Sequence, residues 1–466
     1  MCCPGWLTCA TTGVRSLKVA VIGGGISGLA AAWELRGKAD VTVFEPGAVG
    51  GCIRATVFGG RPVDEGADAF ITRLPDAVRL CEEVGIESEL VPPSAGGSML
   101  WWKGRLRPLP EGLMLGVPSQ LLTLLSGGIL SPLGIARAGL DLVLPRRRRP
   151  DSLTVRQLVA DRFGFEVADR LVDPLVGSIY AGWTGRLGAP EVVPQLVSAA
   201  QRSRSLMLAL RSAPPSGEGP MFLAPRLGMG RLVEALVESL QKSGTRFLGQ
   251  AVDSIEAAGK AVVVKPTLET FDAVVVSTPA RVAARIMKSS LGDEGSPLSE
   301  IPTASVVLLT ASFAHLELPV GINGFLVPRG SGRLMTACSF GSNKWPRWAA
   351  AGNSVVRLSA GRYGDEDVLR LSDAELTGRL LDELRQALGT SLTPLEIRVS
   401  RWPHSFPQYL PDHAKRIVAA EDLLRNHLPT VTLAGSSYRG LGIPACIASG
   451  KVAADLAITR ARMVSR

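Results

Sequence analysis

The chain has 466 residues, of which 46% are hydrophobic and 20% charged. It is therefore a globular protein, too long for one ordinary hydrophobic core and not intrinsically disordered. Its 51 basic and 42 acidic residues leave a net charge of +9, which favours anionic partners without naming their class. The 7 cysteines show no paired C-x-x-C spacing. This spacing argues against a disulfide framework or a zinc site and favours a reducing cytoplasm.

A glycine-rich turn near the N-terminus is the strongest motif of the chain. The β-branched run 19–22 predicts a buried parallel strand, and 29–35 predicts the helix that follows it. Between them lies Gly23-x-Gly25-x-x-Gly28. This spacing permits a sharp turn, a close approach of pyrophosphate and tight packing of helix on strand. We expect a dinucleotide to contact Gly23, Gly24, Gly25, Ile26, Ser27 and Gly28.

The next segment completes the predicted βαβ unit. A second strand, 41–44, ends in Glu45, whose carboxylate is placed to accept hydrogen bonds from a ribose hydroxyl. The doublet Gly50-Gly51 then lets the chain pass close to the dinucleotide, and Arg54 can bond a phosphate or a cofactor carbonyl. For the acids of 61–70, a structural role is favoured over a chemical one.

The segment 112–136 carries no charge and is long enough to span a bilayer. Pro118, Gly127, Gly128 and Pro132 interrupt it, so two shorter apolar helices fit better than one span. Such helices either line a hydrophobic cavity or lie on a membrane surface, monotopic at most. The run Arg146 to Arg149 follows, either as a solvated loop or as a contact for anionic headgroups.

The rest of the chain alternates helices and strands. Helices are predicted at 74–84, 231–242 and 373–388, and strands at 246–252, 261–266, 273–277, 305–310, 354–358, 396–401 and 430–435. A Gly-rich turn at 440–442 then leads into a small-residue helix that runs to 457. Pro444 suits the first turn of that helix, whose N-terminus favours negative charge.

These motifs together carry a family resemblance. The glycine turn, the Gly50-Gly51 doublet and the strings 100–110, 179–182 and 442–450 resemble the oxygen-dependent porphyrinogen oxidases of haem biosynthesis, most closely their Gram-positive branch. The resemblance runs from about 17 to 457. It implies an α/β fold with a discontinuous Rossmann-like FAD-binding domain of the p-hydroxybenzoate-hydroxylase type, joined to a sheet-based substrate domain and an apolar helical module. The FAD domain would comprise 17–94, 219–282 and 428–459, the helical module 95–218 and the substrate domain 283–427.

The resemblance also implies roles for single residues. FAD would be held by the glycine turn together with Glu45, Gly50, Gly51 and Arg54. Val252 would meet the adenine through its backbone, and Gly442, Ile443 and Ala445 would approach the isoalloxazine ring.

This chain departs from the family pattern at several positions. Ala48 stands where an arginine is common before the doublet, and Ser98 where a basic residue often pairs a substrate propionate. Lys103, Arg105 and Arg107 are the remaining candidates for that pairing, and Ser178 stands where glycine is common beside the flavin. The substrate residues predicted here are therefore Lys103, Arg105 and Ser178.

The implied reaction is FAD-dependent oxidation of a porphyrinogen by O₂ with release of H₂O₂, coproporphyrinogen III being favoured over protoporphyrinogen IX. Hydride would pass from a meso carbon to the flavin, and no general base, metal site or nucleic-acid partner is predicted. The expected location is the cytoplasm, and a peripheral contact with the inner face of the cell membrane is left open. Two other classes remain open: another FAD-dependent amine oxidase or desaturase, and a non-catalytic dinucleotide-binding scaffold.

Overall fold

The computed structural model describes residues 16–125, 127–145, 153–212, 219–292, 297–350, 352–391 and 393–465. Arg146 to Arg149 lies outside these described residues. Two large sheets and one group of helices make up the fold, and the sites discussed below lie where the three meet.

The first of the two large sheets is parallel. Its five strands run in the order Arg246–Leu248, Asp40–Phe44, Lys18–Ile22, Ala273–Val276 and Val431–Leu433. Successive side chains point to opposite faces, so Val19 and Val21 join one hydrophobic core while Ala20 and Ile22 join another. Both faces are covered, which explains why these strands are nearly continuous apolar runs. The sheet confirms the predicted Rossmann-like fold and takes its strands from distant parts of the chain.

Helices cover this parallel sheet on its two faces. One core receives side chains from Ile26–Leu35, Gly230–Lys242 and Ile443–Ser465, and the other from Ala280–Ile286 and His413–His427. The first and last of these helices approach closely, because a Cβ at Gly450 would lie 2.2 Å from the Ser27 carbonyl oxygen. The two ends of the polypeptide therefore pack directly against each other.

The second sheet has seven strands, in the order Glu396–Pro407, Thr303–Ala314, Asn353–Ala360, Met335–Ser339, Ile322–Leu326, Gly97–Trp102 and Arg105–Pro108. Helix Asp373–Leu388 packs its leucines on one face. The segment 97–108, which the sequence analysis placed with the helical module, supplies the last two strands. We call this assembly the large sheet.

The helical module comprises Pro132–Gly139, Val155–Phe163, Phe165–Val167, Asp173–Tyr180, Ala189–Val192, Pro194–Arg202 and Leu206–Arg211, with a π turn at Ala168–Val172. A buried ion pair links two parts of it: Arg162 Nε donates to Asp141 Oδ1 at 2.7 Å. Asp141 Oδ2 also accepts from Ser205 and from the Met207 amide. The pair is therefore satisfied by hydrogen bonds on the carboxylate side.

The uncharged segment 112–136 folds differently from the two predicted helices. Its second half contains helix Pro132–Gly139, but its first half is a hairpin, Leu113–Met114 with Val117–Pro118, and a 3₁₀ turn, Leu122–Leu125. Leu115 and Gly116 adopt positive φ angles of 51° and 84°, which a helix does not allow. None of the helices in the described part of the chain combines the length and apolarity that a bilayer crossing needs.

The remaining elements are short. The strands are Ala55–Phe58, Arg61–Asp64, Phe70–Ile71, Leu90–Val91, Phe222–Pro225, Ser254–Ala258, Ala261–Lys265 and Glu269–Phe271. The helices are Asp76–Glu83, Lys288–Leu291 and Gly341–Lys344, with 3₁₀ turns at Glu87–Glu89, Leu140–Leu142, Pro346–Trp348 and Asp367–Arg370.

Candidate active site

The glycine turn has the geometry that its spacing predicts. Gly23 has a φ of +107°, which an L side chain rarely adopts. A Cβ at Gly28 would lie 1.9 Å from the Gly23 carbonyl oxygen, so only glycine allows the helix to start this close to the strand. At Gly25 a Cβ would meet nothing within 4 Å. Gly25 therefore faces open space, which is the direction from which a phosphate can approach the helix N-terminus.

Glu45 fixes the shape of this turn. Its Oε2 accepts a hydrogen bond from the Gly24 amide at 2.8 Å, and its Oε1 accepts one from the Gly47 amide at 2.9 Å. The side chain is half-buried and lines a cavity beside the turn, together with Ile26 and Ser27. The carboxylate thus orders both the turn and the loop after the second strand.

The doublet lies against the glycine turn. The Gly50 amide donates to the Gly24 carbonyl at 2.8 Å, and Gly25 and Gly50 form an isolated parallel bridge. A Cβ at Gly51 would lie 3.3 Å from the Gly25 Cα atom, so a side chain there would press on the turn. The doublet closes one side of the space that Gly25 faces.

The C-terminal part of the chain returns to the same place. Gly435, Ser436, Ser437, Leu441, Ile443 and Cys446 line the cavity that Gly23 and Gly25 also line. Tyr409 holds this return segment, because its hydroxyl donates to the Ser436 carbonyl at 2.5 Å and accepts from the Gly440 amide at 2.7 Å. Three residues were predicted to approach the isoalloxazine ring. Ile443 lines the cavity, and Gly442 and Ala445 are its near neighbours in the chain.

The cavity has a volume of about 500 Å³ and extends from the glycine turn to the large sheet. Its far walls are mostly apolar or small, and they come from helix Asp173–Tyr180 and from the large sheet. They include Pro174, Ala181, Val306, Leu308, Val327, Trp402 and Phe406. Sequence reasoning missed most of these residues, as well as Ser277, Thr278, Gly66 and Ala67, because no local pattern indicates that they line a site. The arrangement joins a nucleotide-binding turn to an apolar chamber.

Comparison with known proteins gives the family. Residues 26–458 match the model of the flavin containing amine oxidoreductases. Coproporphyrinogen III oxidase of Bacillus subtilis (strain 168) is 31% identical over 95% of this chain and 98% of its own. Coproporphyrinogen III oxidase of Mycobacterium tuberculosis (strain ATCC 25618 / H37Rv) is 33% identical over 92% of this chain and 94% of its own. The chain belongs to the flavin-containing amine oxidoreductases, in the porphyrinogen oxidase branch.

A solved structure supports the same assignment. A crystal structure from Exiguobacterium sp. 255-15 matches with a TM-score of 0.87 and 27% sequence identity, covering 96% of this chain and 100% of that one. The predicted family, the fold class and the FAD cofactor are thereby confirmed, and the chain is an FAD-dependent oxidoreductase.

The residues of this flavin oxidoreductase fit FAD. The open space beside Gly25, the two forbidden Cβ positions at Gly23 and Gly28, and the doublet together form a cradle that side chains would fill. The first turn of helix Ile443–Ser465 lines the same cavity, and a helix N-terminus favours negative charge. Non-catalytic binding alone would not require the apolar chamber beside this cradle.

Six residues predicted to bind FAD lie outside the cavity wall: Gly24, Gly28, Arg54, Val252, Gly442 and Ala445. The Arg54 guanidinium pairs with Glu65, at 2.5 Å from Nη2 to Oε2, and Thr56 donates to the other oxygen of that carboxylate. Val252 is buried in the core on one face of the parallel sheet. Their roles toward FAD remain predictions.

The predicted substrate residues are divided between two places. Lys103 occupies the turn between the last two strands of the large sheet with a φ of 49°, and Arg105 begins the edge strand. Neither belongs to the cavity wall, whereas Ser178 does, with its hydroxyl donating to the Leu175 carbonyl at 2.9 Å. The charged groups of the described wall are instead Glu45, Asp173 and Arg362.

Proposed function

We propose that this chain oxidises coproporphyrinogen III to coproporphyrin III, with O₂ as electron acceptor and H₂O₂ as the second product. The observation that carries the proposal is the single cavity that joins the FAD cradle to an apolar chamber large enough for part of a macrocycle. The coproporphyrinogen III oxidases among its relatives, which align over nearly the whole chain, support the choice of substrate.

Bound FAD would supply hydride acceptance from the substrate and electron transfer to O₂. The protein contributes position and a dry environment. Val306, Leu308 and Phe406 offer apolar surface to the ring system and exclude water from it. The N-terminal turn of helix Ile443–Ser465, which lines the cavity, would favour negative charge on the bound cofactor.

The two carboxylates of the described wall already have hydrogen-bond donors. Glu45 accepts from backbone amides, and Asp173 Oδ1 accepts from the Thr184 amide at 2.9 Å and from its hydroxyl at 2.6 Å. We therefore assign neither of them the role of general base. Protons from the pyrrole groups would leave through solvent.

The test is a side-by-side assay of coproporphyrinogen III and protoporphyrinogen IX with the purified protein, since fluorescent porphyrin forms only on oxidation. We expect a yellow protein with flavin absorbance near ~450 nm that is bleached by coproporphyrinogen III under nitrogen and recovers in air. Faster oxidation of protoporphyrinogen IX would favour the second candidate substrate. A protein that binds no FAD, or that neither porphyrinogen reduces, would contradict the proposal.

We also propose that the enzyme works in the cytoplasm and contacts the inner face of the membrane peripherally. The described cysteines, Cys52, Cys81, Cys338 and Cys446, are free thiols, which suits a reducing compartment. The helical module and the 3₁₀ turn before it expose large apolar side chains: Leu122 is 78% exposed, Leu125 63% and Leu133 82%. The turn and the helix that carry them lie together, because Leu121 packs near Gly139. Such a patch suits insertion into the headgroup layer.

We expect the double substitution Leu122→Asp/Leu133→Asp to reduce co-sedimentation with vesicles of anionic lipid several-fold, because it places charge in the contact patch. The control is Val320→Asp, since Val320 is 97% exposed but lies before the large-sheet strand Ile322–Leu326. Equal sedimentation of both variants and the parent protein would rule out this patch as the contact.

For Arg54 we expect that Arg54→Ala weakens FAD retention. The ion pair with Glu65 holds the strand after the doublet in place, so its loss loosens the doublet even if the guanidinium touches no phosphate. Equilibrium dialysis measures the effect, and Arg61→Ala on the exposed end of the neighbouring strand is the control. Unchanged FAD affinity in Arg54→Ala would contradict the expectation.

A further inference from the structure

Two arginines, Arg362 and Arg329, lie near the apolar chamber. Arg362 follows strand Asn353–Ala360 and lines the cavity, and its guanidinium makes no hydrogen bond to a described residue. Arg329 follows strand Ile322–Leu326 and lies close enough to influence Arg362 electrostatically. Its Nη2 donates to the Gly182 carbonyl at 3.1 Å.

The loop that carries Arg362 is fixed in place. Gly361 has a φ of +90°, and a Cβ there would lie 2.7 Å from the Ser305 carbonyl oxygen. The next residue, Tyr363, donates its amide to the Ala181 carbonyl at 2.7 Å. Arg362 is therefore held between the large sheet and the helical module, where the two walls of the chamber meet.

Only one of the two carboxylates near these arginines is buried. Asp173 Oδ2 lies 4.0 Å from Arg329 Nε, but the other oxygen of Asp173 is engaged by Thr184. Arg329 Nε itself is buried and has no hydrogen-bond partner within the described part of the chain. Asp365 is exposed, so one buried carboxylate faces two partly dehydrated cations.

The electrostatics agree with this count. Burial, and then the charge of Arg329, lower the pKa of Arg362 below the ordinary arginine value, although Asp173 and Asp365 oppose the shift. Burial likewise lowers the pKa of Arg329. Two like charges at the edge of an apolar space are unfavourable unless an anion joins them. The two arginines therefore share one buried carboxylate, and their second carboxylate neighbour, Asp365, is exposed to solvent.

We propose that Arg362, supported by Arg329, binds a carboxylate arm of the substrate. The planar guanidinium of Arg362 can hold a carboxylate through two parallel hydrogen bonds. Arg329 adds a second positive charge near Arg362. This inference rests on the proposed function and deepens it, because it names the group that the enzyme recognises. It also supplies the cation that the sequence sought in Lys103 and Arg105, neither of which lines the cavity.

The experiment compares binding of two probes to the FAD-loaded enzyme by fluorescence: coproporphyrin III as the free acid and its tetramethyl ester, in the same detergent. We expect Arg362→Gln to weaken binding of the acid about 10-fold or more, because a charge-assisted hydrogen bond is lost. Binding of the ester, which has no anionic arms, should stay within about 2-fold on the same grounds. Arg370→Gln is the control, since Arg370 is 86% exposed on the following turn.

Two further measurements keep the outcomes distinct. Flavin absorbance shows whether each variant retains FAD. If Arg362→Gln does not retain it, the comparison of acid and ester binding is made with Arg362→Lys instead. The lysine variant keeps the positive charge but cannot form two parallel hydrogen bonds to one carboxylate. We therefore expect it to weaken binding of the acid less than glutamine does and to leave binding of the ester unchanged.

The proposal is overturned if the acid and the ester are weakened equally, or if the FAD-loaded variants bind the acid as the parent protein does. If the parent protein itself neither binds coproporphyrin III nor forms fluorescent porphyrin from coproporphyrinogen III, the proposed function fails. The carboxylate site then fails with it. Weakening confined to the acid, with Arg370→Gln unchanged, supports the proposal.

Discussion

Replacing Gly28 by alanine is expected to yield a protein that loses FAD on dialysis. The added Cβ would lie 1.9 Å from the Gly23 carbonyl oxygen and 2.5 Å from Ser277 Oγ, and the carbonyl belongs to the backbone. The first helix must therefore move away from the strand, which opens the turn around Gly25. Overpacking of this kind costs about 1–3 kcal/mol. If that cost falls on the binding-competent turn, FAD affinity drops on the order of 10- to 100-fold.

The matched control is Gly378→Ala. Gly378 lies on the exposed face of helix Asp373–Leu388, and a Cβ there would meet nothing within 4 Å. This variant should retain FAD fully and gain about 0.5–1 kcal/mol of stability, since alanine favours the helix more than glycine does. Equilibrium dialysis of both variants gives the comparison. Equal FAD affinity in Gly28→Ala and the parent protein would show that the glycine turn does not hold the cofactor.

Asp68→Asn is expected to cause the largest loss of stability. The Asp68 carboxylate accepts from Lys344 Nζ at 2.9 Å and from Arg357 Nη2 at 3.0 Å, and all three side chains are largely buried. Removing one partner leaves buried cations uncompensated, a loss of about 3–5 kcal/mol. The same contacts join the parallel-sheet domain to the large sheet and flank Gly66 and Ala67 in the cavity wall. Urea unfolding of the FAD-loaded protein measures the change.

The dependence of the free energy of unfolding on acidic pH should change as well. Despite burial, which acts in the opposite direction, Lys344 and Arg357 lower the pKa of Asp68 to about 2 from an ordinary value of 3.8. A depressed carboxyl pKa contributes stability that is complete above about pH 4 and is lost as pH falls toward 2. The difference in stability between the parent protein and Asp68→Asn should therefore shrink over that window.

The control for both measurements is Asp367→Asn. Asp367 pairs with Arg370 at 3.2 Å, but the two side chains are 87% and 86% exposed, so this pair contributes at most about 1 kcal/mol. If Asp68→Asn unfolds at the same urea concentration as Asp367→Asn, the buried pairs do not hold the two domains together.

The structural role predicted for the acids of 61–70 is confirmed by the same contacts. Asp64 Oδ2 accepts from Arg347 Nη2 at 2.9 Å, and Asp64 Oδ1 accepts from the Met229 amide at 2.8 Å. The sequence indicated that these acids were structural, but it did not indicate which cations they meet. Glu65 pairs with the nearby Arg54, but the cations that pair with Asp64 and Asp68 lie more than 270 residues away in the chain.

Elements that depend on neighbouring residues were predictable. Helix Asp373–Leu388 has the bounds that the sequence indicated, because a Ser372–Glu375 capping box begins it and Gly389, with a φ of +67°, ends it. The glycine turn was predictable for the same reason, since its spacing alone sets which positions must lack a side chain. The final helix runs past the predicted end at 457 to Ser465, because its apolar face continues along the first helix.

The sequence by itself thus determined the FAD cradle, the helices and strands that it predicted outside 95–136, and the family. Only the tertiary structure decided that segment 97–108 joins the large sheet, that Arg54 pairs with Glu65, and that Arg362 reaches the chamber. The physical reason is range. A turn or a helix depends on groups within a few residues. A buried charge instead pairs with a residue of a distant segment that folds beside it, and no local sequence pattern indicates which segment that is.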